Sequence, residues 1–352
     1  MIISCRNSPK CSTLWENVQV DGNLMHERYD DMYEACMRYY VQDETMESIA
    51  RHLKISRSSV SRLLAQARHL GMVRISLEAP QGSSSPVARS LAAIFGINVH
   101  LVTVGDSASI TTRFERVSKL AATFLRNSVD DGYLIGVAWG VTLSNIIPFL
   151  EKRPLNDAII VQMNGGTNVH DTSARHVSSI LQALSSNFDA RLVHFPVPAF
   201  FDFADTKQSM WRERSVKSVL NLQAKLDLAI FGVGSIFAQV PSHVYTAGYL
   251  DEVEMAQLKA QGVVGDVNTV LLRENGTYQD IEMNQRASGL TPAELQHIPT
   301  RIGVVADPSR ANALMGALRA RTITDLICDD TTARAVLDLF DPEETRRAQR
   351  GL

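Results

Sequence analysis

The stretch between Ser56 and Arg68 combines short hydroxyl side chains with arginines and contains no acidic residue. Side chains of these two kinds bind phosphate oxygens and base edges when a helix enters the major groove of DNA. The candidate DNA-contacting residues are Ser56, Arg57, Ser58, Ser59, Ser61, Arg62 and Arg68. The chemistry of this stretch therefore points to double-stranded DNA as a partner.

Two short helices are needed to present these side chains, and the apolar spacing predicts both. Ile49 and Leu53 lie four residues apart on one helix face, and the small Ala50 would let a second helix approach closely. Ser56 is a good N-cap for that second helix. Its apolar positions follow the i, i+3, i+4, i+7 spacing of an amphipathic helix and are Val60, Leu63, Leu64 and Ala67. With Lys54 in the turn, where a left-handed backbone often selects glycine, the pair predicts a helix-turn-helix.

Charge is segregated around these helices. From Ile49 to Leu77 the chain has six basic residues and no acidic one, whereas residues 27–47 carry most of the nearby acids. A solvated basic helix in an ordinary helical hairpin is the alternative, but spacing, cap and charge together favour DNA binding. Gly71 would end the second helix. The alternation of Val73, Ile75 and Leu77 then predicts a strand, which indicates a winged variant.

Residues 79–86 are rich in Pro, Gly and Ser, a composition typical of a flexible linker. The 352 residues are enough for two domains. We therefore expect a disordered tail over 1–25, a helix-turn-helix domain over 26–78, the linker over 79–86 and a second domain over 87–345. The tail has no clean period, and Met25 or Met32 is an alternative start.

In the second domain, continuous apolar runs alternate with helical segments. Such runs are typical of strands buried on both faces, and the alternation predicts a doubly wound α/β sheet. The predicted strands are Asn98–Val104, Tyr133–Val137, Ala158–Gln162, Arg191–His194, Leu228–Gly232, Thr269–Leu272, Arg301–Val305 and Thr324–Cys328. The predicted helices include Arg113–Asn127, Ala174–Ser185, Trp211–Leu222, Arg310–Ala320 and Thr332–Leu339.

Small and polar residues stand at the ends of several of these strands. Ligands of open α/β sheets bind outside the carboxyl ends of the strands, and the turn at Gly140 also leads into a helix N-terminus with free N–H groups. We expect Asp266, after Gly265, to stand just before the strand that starts near Asn268. Routine β–α turns are the alternative for each segment. The candidate ligand-binding residues are Gly140, Val141, Thr142, Asn164, Gly165, Gly234 and Asp266.

The bulk properties restrict the class of protein. The net charge is -3 and 45% of the residues are hydrophobic, so a large core can form and charge has to be considered segment by segment. The four cysteines (Cys5, Cys11, Cys36 and Cys328) match no zinc pattern and no disulfide framework, which fits a reducing cytoplasm. No apolar run is long enough to span a bilayer. We expect no metal, no cofactor and no membrane association.

An enzyme is the alternative function for the second domain. Isomerisation needs a positioned base, and the candidates are Asp266, His170, Asp171 and His176. The two histidines are six residues apart rather than the three or four of a helical metal pair, and neither a nucleophile elbow nor a Walker loop is present. DNA binding without any ligand is a third hypothesis, which leaves the large second domain without a purpose.

Ordered motifs along residues 30–340 resemble the SorC family of sugar-responsive bacterial regulators. The segments are YYVQDETMESIARHLKISRSSVSRLLAQARHLGMVRISL, IGVAWGVTLSNI, NGGT, FPVPA, LAIFGVGSI, GVVGDVNTVLLRENG and ALRARTITDLICDDTTARAVLDL. The resemblance implies a second domain similar to sugar-phosphate isomerases and deaminases of the glucosamine-6-phosphate deaminase type. It also implies a homo-oligomer, a dimer or a tetramer assembled through these domains.

The resemblance further implies how a ligand is held. The family's gripping loop corresponds to Gly140, Val141 and Thr142. Where the family often has two glycines and a phosphate-binding Lys, this chain has Asp307-Pro308-Ser309-Arg310, and Arg310 would replace the Lys as an anion binder. Asn164 stands where some phosphate-binding members carry Arg, so a sugar, a polyol or a sugar phosphate all remain open as effector. We expect a regulator of carbohydrate genes whose operator affinity this effector changes.

Overall fold

The computed structural model describes residues 29–70, 72–73, 85–105, 108–166, 171–239, 242–246 and 248–340. The chain forms two compact units, Met1–Ser83 and Ser84–Leu352. The expected tail (1–25), residues 79–84 of the expected linker and residues 341–345 of the expected second domain lie outside the described residues. So does most of the strand predicted from Val73, Ile75 and Leu77. The winged variant and the domain bounds therefore stay predictions.

The first unit is a small helical bundle. Its first helix, α1 (29–36), widens at its end into a π-helical segment over Met37–Val41. Helices α2 (Met46–Leu53) and α3 (Arg57–His69) follow, and they pack on one another. In the described part of this unit the buried hydrophobic side chains are Met32, Ala35, Cys36, Ile49, Val60, Leu64 and Ala67. The predicted apolar faces of the two helices are thus confirmed, with Leu53 and Leu63 half-buried at the margin.

The turn between α2 and α3 adopts the left-handed backbone that the sequence predicts for it. Lys54 has φ 52° and ψ 38°, and its N–H donates to the Ala50 carbonyl. The N–H of Ile55 donates to the same carbonyl at 3.0 Å, which closes the end of α2. A lysine therefore occupies, at modest strain, a position where glycine would be relaxed.

The second unit is built on a nine-stranded sheet whose main path is β1-β9-β8-β5-β2-β3-β4, with every pair along it parallel. The strands are β1 (Asn98–Val102), β2 (Leu134–Val137), β3 (Ile159–Gln162), β4 (Arg191–Val193), β5 (Leu228–Ser235), β6 (Val263–Val267), β7 (Val270–Arg273), β8 (Thr300–Val305) and β9 (Asp325–Asp329). Strands β6 and β7 form an antiparallel hairpin beside the carboxyl half of β5.

Helices cover both faces of this sheet. They are α4 (Pro86–Phe95), α5 (Ile110–Ser128), α6 (Val141–Ile146), α7 (Asp171–Phe188), α8 (Ala204–Met210), α9 (Arg214–Gln223), α10 (His243–Thr246), α11 (Glu252–Ala260), α12 (Pro292–Leu295), α13 (Ala311–Arg319) and α14 (Asp330–Leu337). Successive strand residues point to opposite faces, so Ile230 packs under α5 and α7 whereas Phe231 packs under α9 and α13. The doubly wound α/β architecture is confirmed.

Several predicted element bounds are wrong, for identifiable reasons. Pro86, assigned to the linker, is the first residue of α4 because proline suits the first turn of a helix. The predicted helix Trp211–Leu222 corresponds to α9, which begins only at Arg214 because Trp211 lies in the break after α8. Arg310 precedes α13 in a 3₁₀ turn, since Pro308 starts that turn.

The largest correction concerns β5 to β7. The stretch containing Gly265 and Asp266 was expected to be a turn before a strand, because glycine and aspartate are poor strand formers. Instead both residues lie inside β6, and the tight turn follows the end of that strand, at Asn268 and Thr269. Similarly, β5 continues past Gly232 to Ser235, so Gly234 lies inside a strand and not after it.

Candidate functional site

Ser56 caps α3, as its sequence position predicts. Its hydroxyl oxygen accepts a hydrogen bond from the Ser59 N–H at 3.1 Å, and it also lies 2.8 Å from the Ser58 hydroxyl and 2.9 Å from the Ser59 hydroxyl. A cap of this kind contributes about 1 kcal/mol to helix stability. The first turn of α3 is therefore held together by three serines, and Ser56 acts first as a structural residue.

The outer face of α3 carries the other predicted DNA-contacting side chains. Ser59 is half-buried, and the exposed residues are Arg57, Ser58, Ser61, Arg62 and Arg68. Arg57 Nε lies 2.9 Å from Glu47 Oε1 in an exposed ion pair, which is worth little in water and can exchange for a phosphate. The structure thus places three arginines and two short hydroxyls on the solvent-facing surface of this helix.

In the second unit, seven of the eight predicted ligand-binding residues line one cleft at the carboxyl ends of β2, β3 and β5, beside the β6–β7 hairpin. Its empty space, including the part that is open to solvent, is about 590 Å³. The seven are Gly140, Val141, Thr142, Asn164, Gly234, Asp266 and Arg310. Gly165 lies behind the wall, where its N–H donates to Ser288 Oγ at 3.0 Å.

Gly140 is the N-cap residue of the short helix α6. Its φ of 155° and ψ of 178° form a backbone conformation that residues with a side chain rarely adopt. It directs the chain so that Thr142 faces Gly232 on β5. A Cβ on Gly232 would lie 2.4 Å from Thr142 Oγ1, so glycine is required there for the threonine hydroxyl to lie at the cleft wall.

Gly234 does the same for Asp266. The two residues are register partners in the antiparallel β5–β6 pair, and a Cβ on Gly234 would lie 1.8 Å from Asp266 Oδ1. The absence of a side chain at position 234 therefore makes the space that the Asp266 carboxylate occupies.

The Asp266 carboxylate is the most strongly perturbed acid of the cleft. Burial raises its pKa to about 6, while the Tyr245 hydroxyl, the Thr269 N–H and the Arg310 guanidinium each lower it. The Thr269 N–H donates to Asp266 Oδ2 at 3.2 Å. The same burial, together with the carboxylate, raises the pKa of Tyr245 well above its ordinary value. Asp266 is thus mostly ionised at pH 7.5 and gains a proton in mild acid.

Arg310 is buried at the cleft wall, and its guanidinium is engaged by protein groups. Its Nη1 donates to the Val233 carbonyl at 2.9 Å and to Ser242 Oγ at 3.2 Å, and its Nε lies 4.0 Å from Asp307 Oδ2. Asp307 has φ 133° where the family pattern often has glycine, which is a strained backbone for a side-chain-bearing residue. Arg310 thus ties β5 to the loop after β8.

Asn268, Thr269, Ser242 and Phe114 were not among the ligand-binding residues that the sequence predicts. Asn268 and Thr269 line the cleft from the β6–β7 turn, and Ser242 and Phe114 also line it. Trp139 Nε1 donates to the Gly165 carbonyl at 2.9 Å, so the indole both lines the cleft and holds the loop after β3. The signal that could have found Asn268 is the pair of polar residues inside an apolar hairpin.

The structure describes the side chain of one of the four candidates for catalysis. Of the four candidate acids and bases, Asp266 lies in the cleft, whereas His170 and the side chains of Asp171 and His176 lie outside what the structure describes. Among the described residues, no group of three or more His, Cys, Asp or Glu could hold a metal ion. No helix of the described part is long and apolar enough to cross a membrane.

Comparison with known proteins decides the family. Residues 80–338 match the family model described as "Putative sugar-binding domain". This is more than half of the chain, and it contains every residue of the cleft. The chain belongs to this family. Its members include sugar-binding transcriptional regulators of the SorC type, which agrees with the resemblance of the motifs.

Relatives match the DNA-binding unit as well. The chain is 28% identical over 308 residues to the deoxyribonucleoside regulator of Bacillus subtilis, covering 87% of this chain and 96% of that protein. A domain of a "possible sugar-binding transcriptional regulator" from Arthrobacter aurescens is 40% identical, with a TM-score of 0.68, and covers 74% of this chain and 100% of that one. The protein is thus a transcriptional regulator with a sugar-binding domain and not an enzyme.

The fold matches a full-length structure too. The sorbitol operon regulator SorC of Klebsiella pneumoniae has a TM-score of 0.68 at 22% identity, over 87% of this chain and 97% of that one. At this identity the likeness bears on the fold alone. It extends the shared architecture to a chain that has both a DNA-binding unit and an α/β domain.

Proposed function

We propose that this regulator binds operator DNA through the outer face of α3 and that a polyhydroxylated effector in the cleft changes its operator affinity. The regulated genes would serve the uptake or breakdown of a carbohydrate. The observation that carries the proposal is the convergence of seven residues predicted from the sequence on one cleft, in a chain that also has a helix-turn-helix.

The surface of α3 supports the DNA-binding part. Arg57 and Arg62 are exposed on the same helix turns as Ser58 and Ser61, and a recognition helix uses such side chains on phosphates and base edges. One short helix buries too little surface for tight specific binding. We therefore infer that the protein acts as a homo-oligomer, a dimer or a tetramer, with the α/β domains in the interfaces. Because its operator would be chromosomal DNA, we place it in the cytoplasm.

The cleft supports the effector part. Hydroxyl, amide and carboxylate groups from Thr142, Asn164 and Asp266 stand beside the indole of Trp139. Sugars and polyols offer many hydroxyl groups for such side chains, and an aromatic face covers their C–H surface. Binding would favour one arrangement of the oligomer and thereby shift the population that fits the operator.

The experiment is fluorescence anisotropy of the full-length protein on labelled DNA from upstream of its own gene, at fixed salt, with a panel of sugars, polyols and their phosphates. We expect tight binding that one compound changes by about 5- to 150-fold. Binding no tighter than to unrelated DNA would contradict the DNA-binding part. Tight binding that no compound changes would contradict the effector part.

A further inference from the structure

Three residues that line the cleft each have a buried side-chain oxygen atom without a well-formed hydrogen bond: Asn164 Oδ1, Asp266 Oδ1 and Asn268 Oδ1. The exposed fractions of the three residues are 2%, 5% and 4%. A buried acceptor that no donor meets destabilises the folded protein. Asp266 does accept from Thr269 and lies beside Tyr245, but an ionised carboxylate has about four acceptor positions, so capacity remains. These three side chains can therefore accept hydrogen bonds from the donors of a ligand.

Protein groups already bind the guanidinium of Arg310, the cationic group of the cleft, and offset its charge. Arg310 donates to Val233 and Ser242 and faces two carboxylates, Asp307 at 4.0 Å and Asp266. Asp266 is mostly ionised at pH 7.5, because its pKa is about 6. The ionised Asp266 carboxylate therefore offsets the positive charge of Arg310 at the cleft wall. A phosphate, which carries a charge of about -1.5 to -2 at neutral pH, brings acceptors and further negative charge to such a wall.

The turn that carries Asn268 is strained and closely supported. Asn268 and Thr269 have φ 54° and 67°, and a β-branched residue rarely adopts this left-handed backbone. Thr269 Oγ1 donates to the Asn268 carbonyl at 2.6 Å. Gly289 permits the packing, since a Cβ there would lie 1.6 Å from the Asn268 carbonyl oxygen. Strain of this kind is kept where the position of a side chain matters.

The same supporting segment holds Asn164. Ser288 Oγ accepts from the Gly165 N–H at 3.0 Å and donates to the Ala199 carbonyl at 3.0 Å. Ser288 thus holds the loop that carries Asn164, while the adjacent Gly289 packs on the turn that carries Asn268. One segment therefore positions two of the three oxygen atoms.

Resting on the proposed function, we propose that Asn268 is a further effector-binding residue and that Asn164, Asp266 and Asn268 together accept hydrogen bonds from the hydroxyl groups of a non-phosphorylated sugar or polyol. The ligand class is thus a neutral polyhydroxy compound that donates hydrogens to the protein. A phosphate ester of the same compound binds more weakly.

Isothermal titration of the full-length protein with matched pairs tests the ligand class. The pairs are sorbitol and sorbitol 6-phosphate, ribose and ribose 5-phosphate, and fructose and fructose 6-phosphate. We expect a neutral member to bind at least about tenfold more tightly than its ester, a loss equivalent to about one hydrogen bond to a charged group. Tighter binding of an ester, or binding of no neutral member, would overturn the inference.

The experiments distinguish a failure of the neutral ligand class from a failure of the proposed function. An ester that binds and also shifts operator affinity would overturn the neutral ligand class and leave the proposed function standing. If the protein binds neither member of any pair, and no compound of the wider panel changes its operator affinity, both the neutral ligand class and the proposed function are contradicted.

The variant Asn268→Gly tests the residue itself, because glycine tolerates the φ of 54° and only the carboxamide is removed. We expect about tenfold weaker binding of the neutral compound. The matched control is Asp157→Gly, which replaces another left-handed residue, with φ 55°, on an exposed turn before β3. Circular dichroism checks that both variants are folded. If they are, equal affinity of Asn268→Gly and of the control for the neutral compound would contradict the role of Asn268.

Discussion

Gly234 and Asp266 are partners across the β5–β6 pair, and a Cβ on Gly234 would lie 1.8 Å from Asp266 Oδ1. The position of the cleft carboxylate thus depends on the absence of a side chain one strand away. Gly232 and Thr142 repeat this arrangement, since a Cβ on Gly232 would lie 2.4 Å from Thr142 Oγ1. Two glycines of one strand therefore make room for two polar groups of the cleft.

The variant Gly234→Ala should displace Asp266 and weaken effector binding by about tenfold or more, with a loss of stability of about 1–3 kcal/mol from overpacking. Urea unfolding and titration with the effector measure the two effects. Gly105→Ala is the control, because a Cβ at Gly105 meets nothing within 4 Å. If Gly234→Ala behaves like this control, the close contact does not position the carboxylate.

The double variant Arg57→Ala/Arg62→Ala should abolish tight operator binding and leave effector binding intact. If both arginines contact phosphates, the slope of log affinity against log salt should fall by about 2 in any residual binding. Anisotropy at several salt concentrations measures this. Arg214→Ala/Lys217→Ala removes the same charge from the exposed side of α9 and should keep the wild-type slope. Unchanged operator affinity in Arg57→Ala/Arg62→Ala would contradict the assignment of α3.

The raised pKa of Asp266 makes a pH-dependent contribution to stability. In the unfolded chain an aspartate titrates near about 3.9, and in the folded protein burial raises this pKa to about 6. The native state therefore binds the proton more tightly, and the stabilisation present below about pH 4 is lost as the pH rises through 6. Relative to Asp266→Asn, the wild type should lose about 2 kcal/mol between pH 4 and pH 7.5.

Urea unfolding of both proteins at several pH values measures this difference. The control is Asp280→Asn. The hydrogen bond from Arg273 lowers the pKa of the exposed Asp280, so its contribution has the opposite sign and is lost as the pH falls. A difference between wild type and Asp266→Asn that stays constant from pH 4 to 7.5 would show that the carboxyl is not buried in this way.

Trp139 should report effector binding. Its indole lines the cleft, donates to the Gly165 carbonyl and lies 5.7 Å from the Tyr249 ring. We expect the effector to change the intrinsic fluorescence of the wild type and to leave that of Trp139→Phe unchanged. Trp211→Phe is the control, because Trp211 packs on Phe195 and Phe201 and does not line the cleft. A signal that disappears in Trp211→Phe and persists in Trp139→Phe would place binding elsewhere.

The sequence predicted the features that depend on local pattern. The helix-turn-helix followed from the apolar spacing of Val60 and Ala67 and from the cap at Ser56, and most strands of the sheet followed from continuous apolar runs. The ends of those runs located the cleft, because parallel strands place their carboxyl ends at one edge.

Features that depend on strand pairing were not predictable in this way. Asp266 looks like a turn residue along the chain, and only its pairing with Gly234 places it within a strand. The strained turn at Asn268 and Thr269 carries no glycine, and its support by Gly289 comes from a segment about 20 residues further on. Arg310 was expected to be an anion binder, but its Nη1 hydrogen-bonds to Val233 and Ser242 within the fold.

If occupancy of this cleft controls operator binding, the variant Thr142→Ala should respond less to the effector. Effector titrations of the protein–operator complex, followed by anisotropy, should require about tenfold more effector in Thr142→Ala than in wild type for the same change, since one hydrogen bond to the ligand is lost. Thr123→Ala on the exposed face of α5 should match the wild type. Identical effector titrations for Thr142→Ala, Thr123→Ala and wild type would contradict the account.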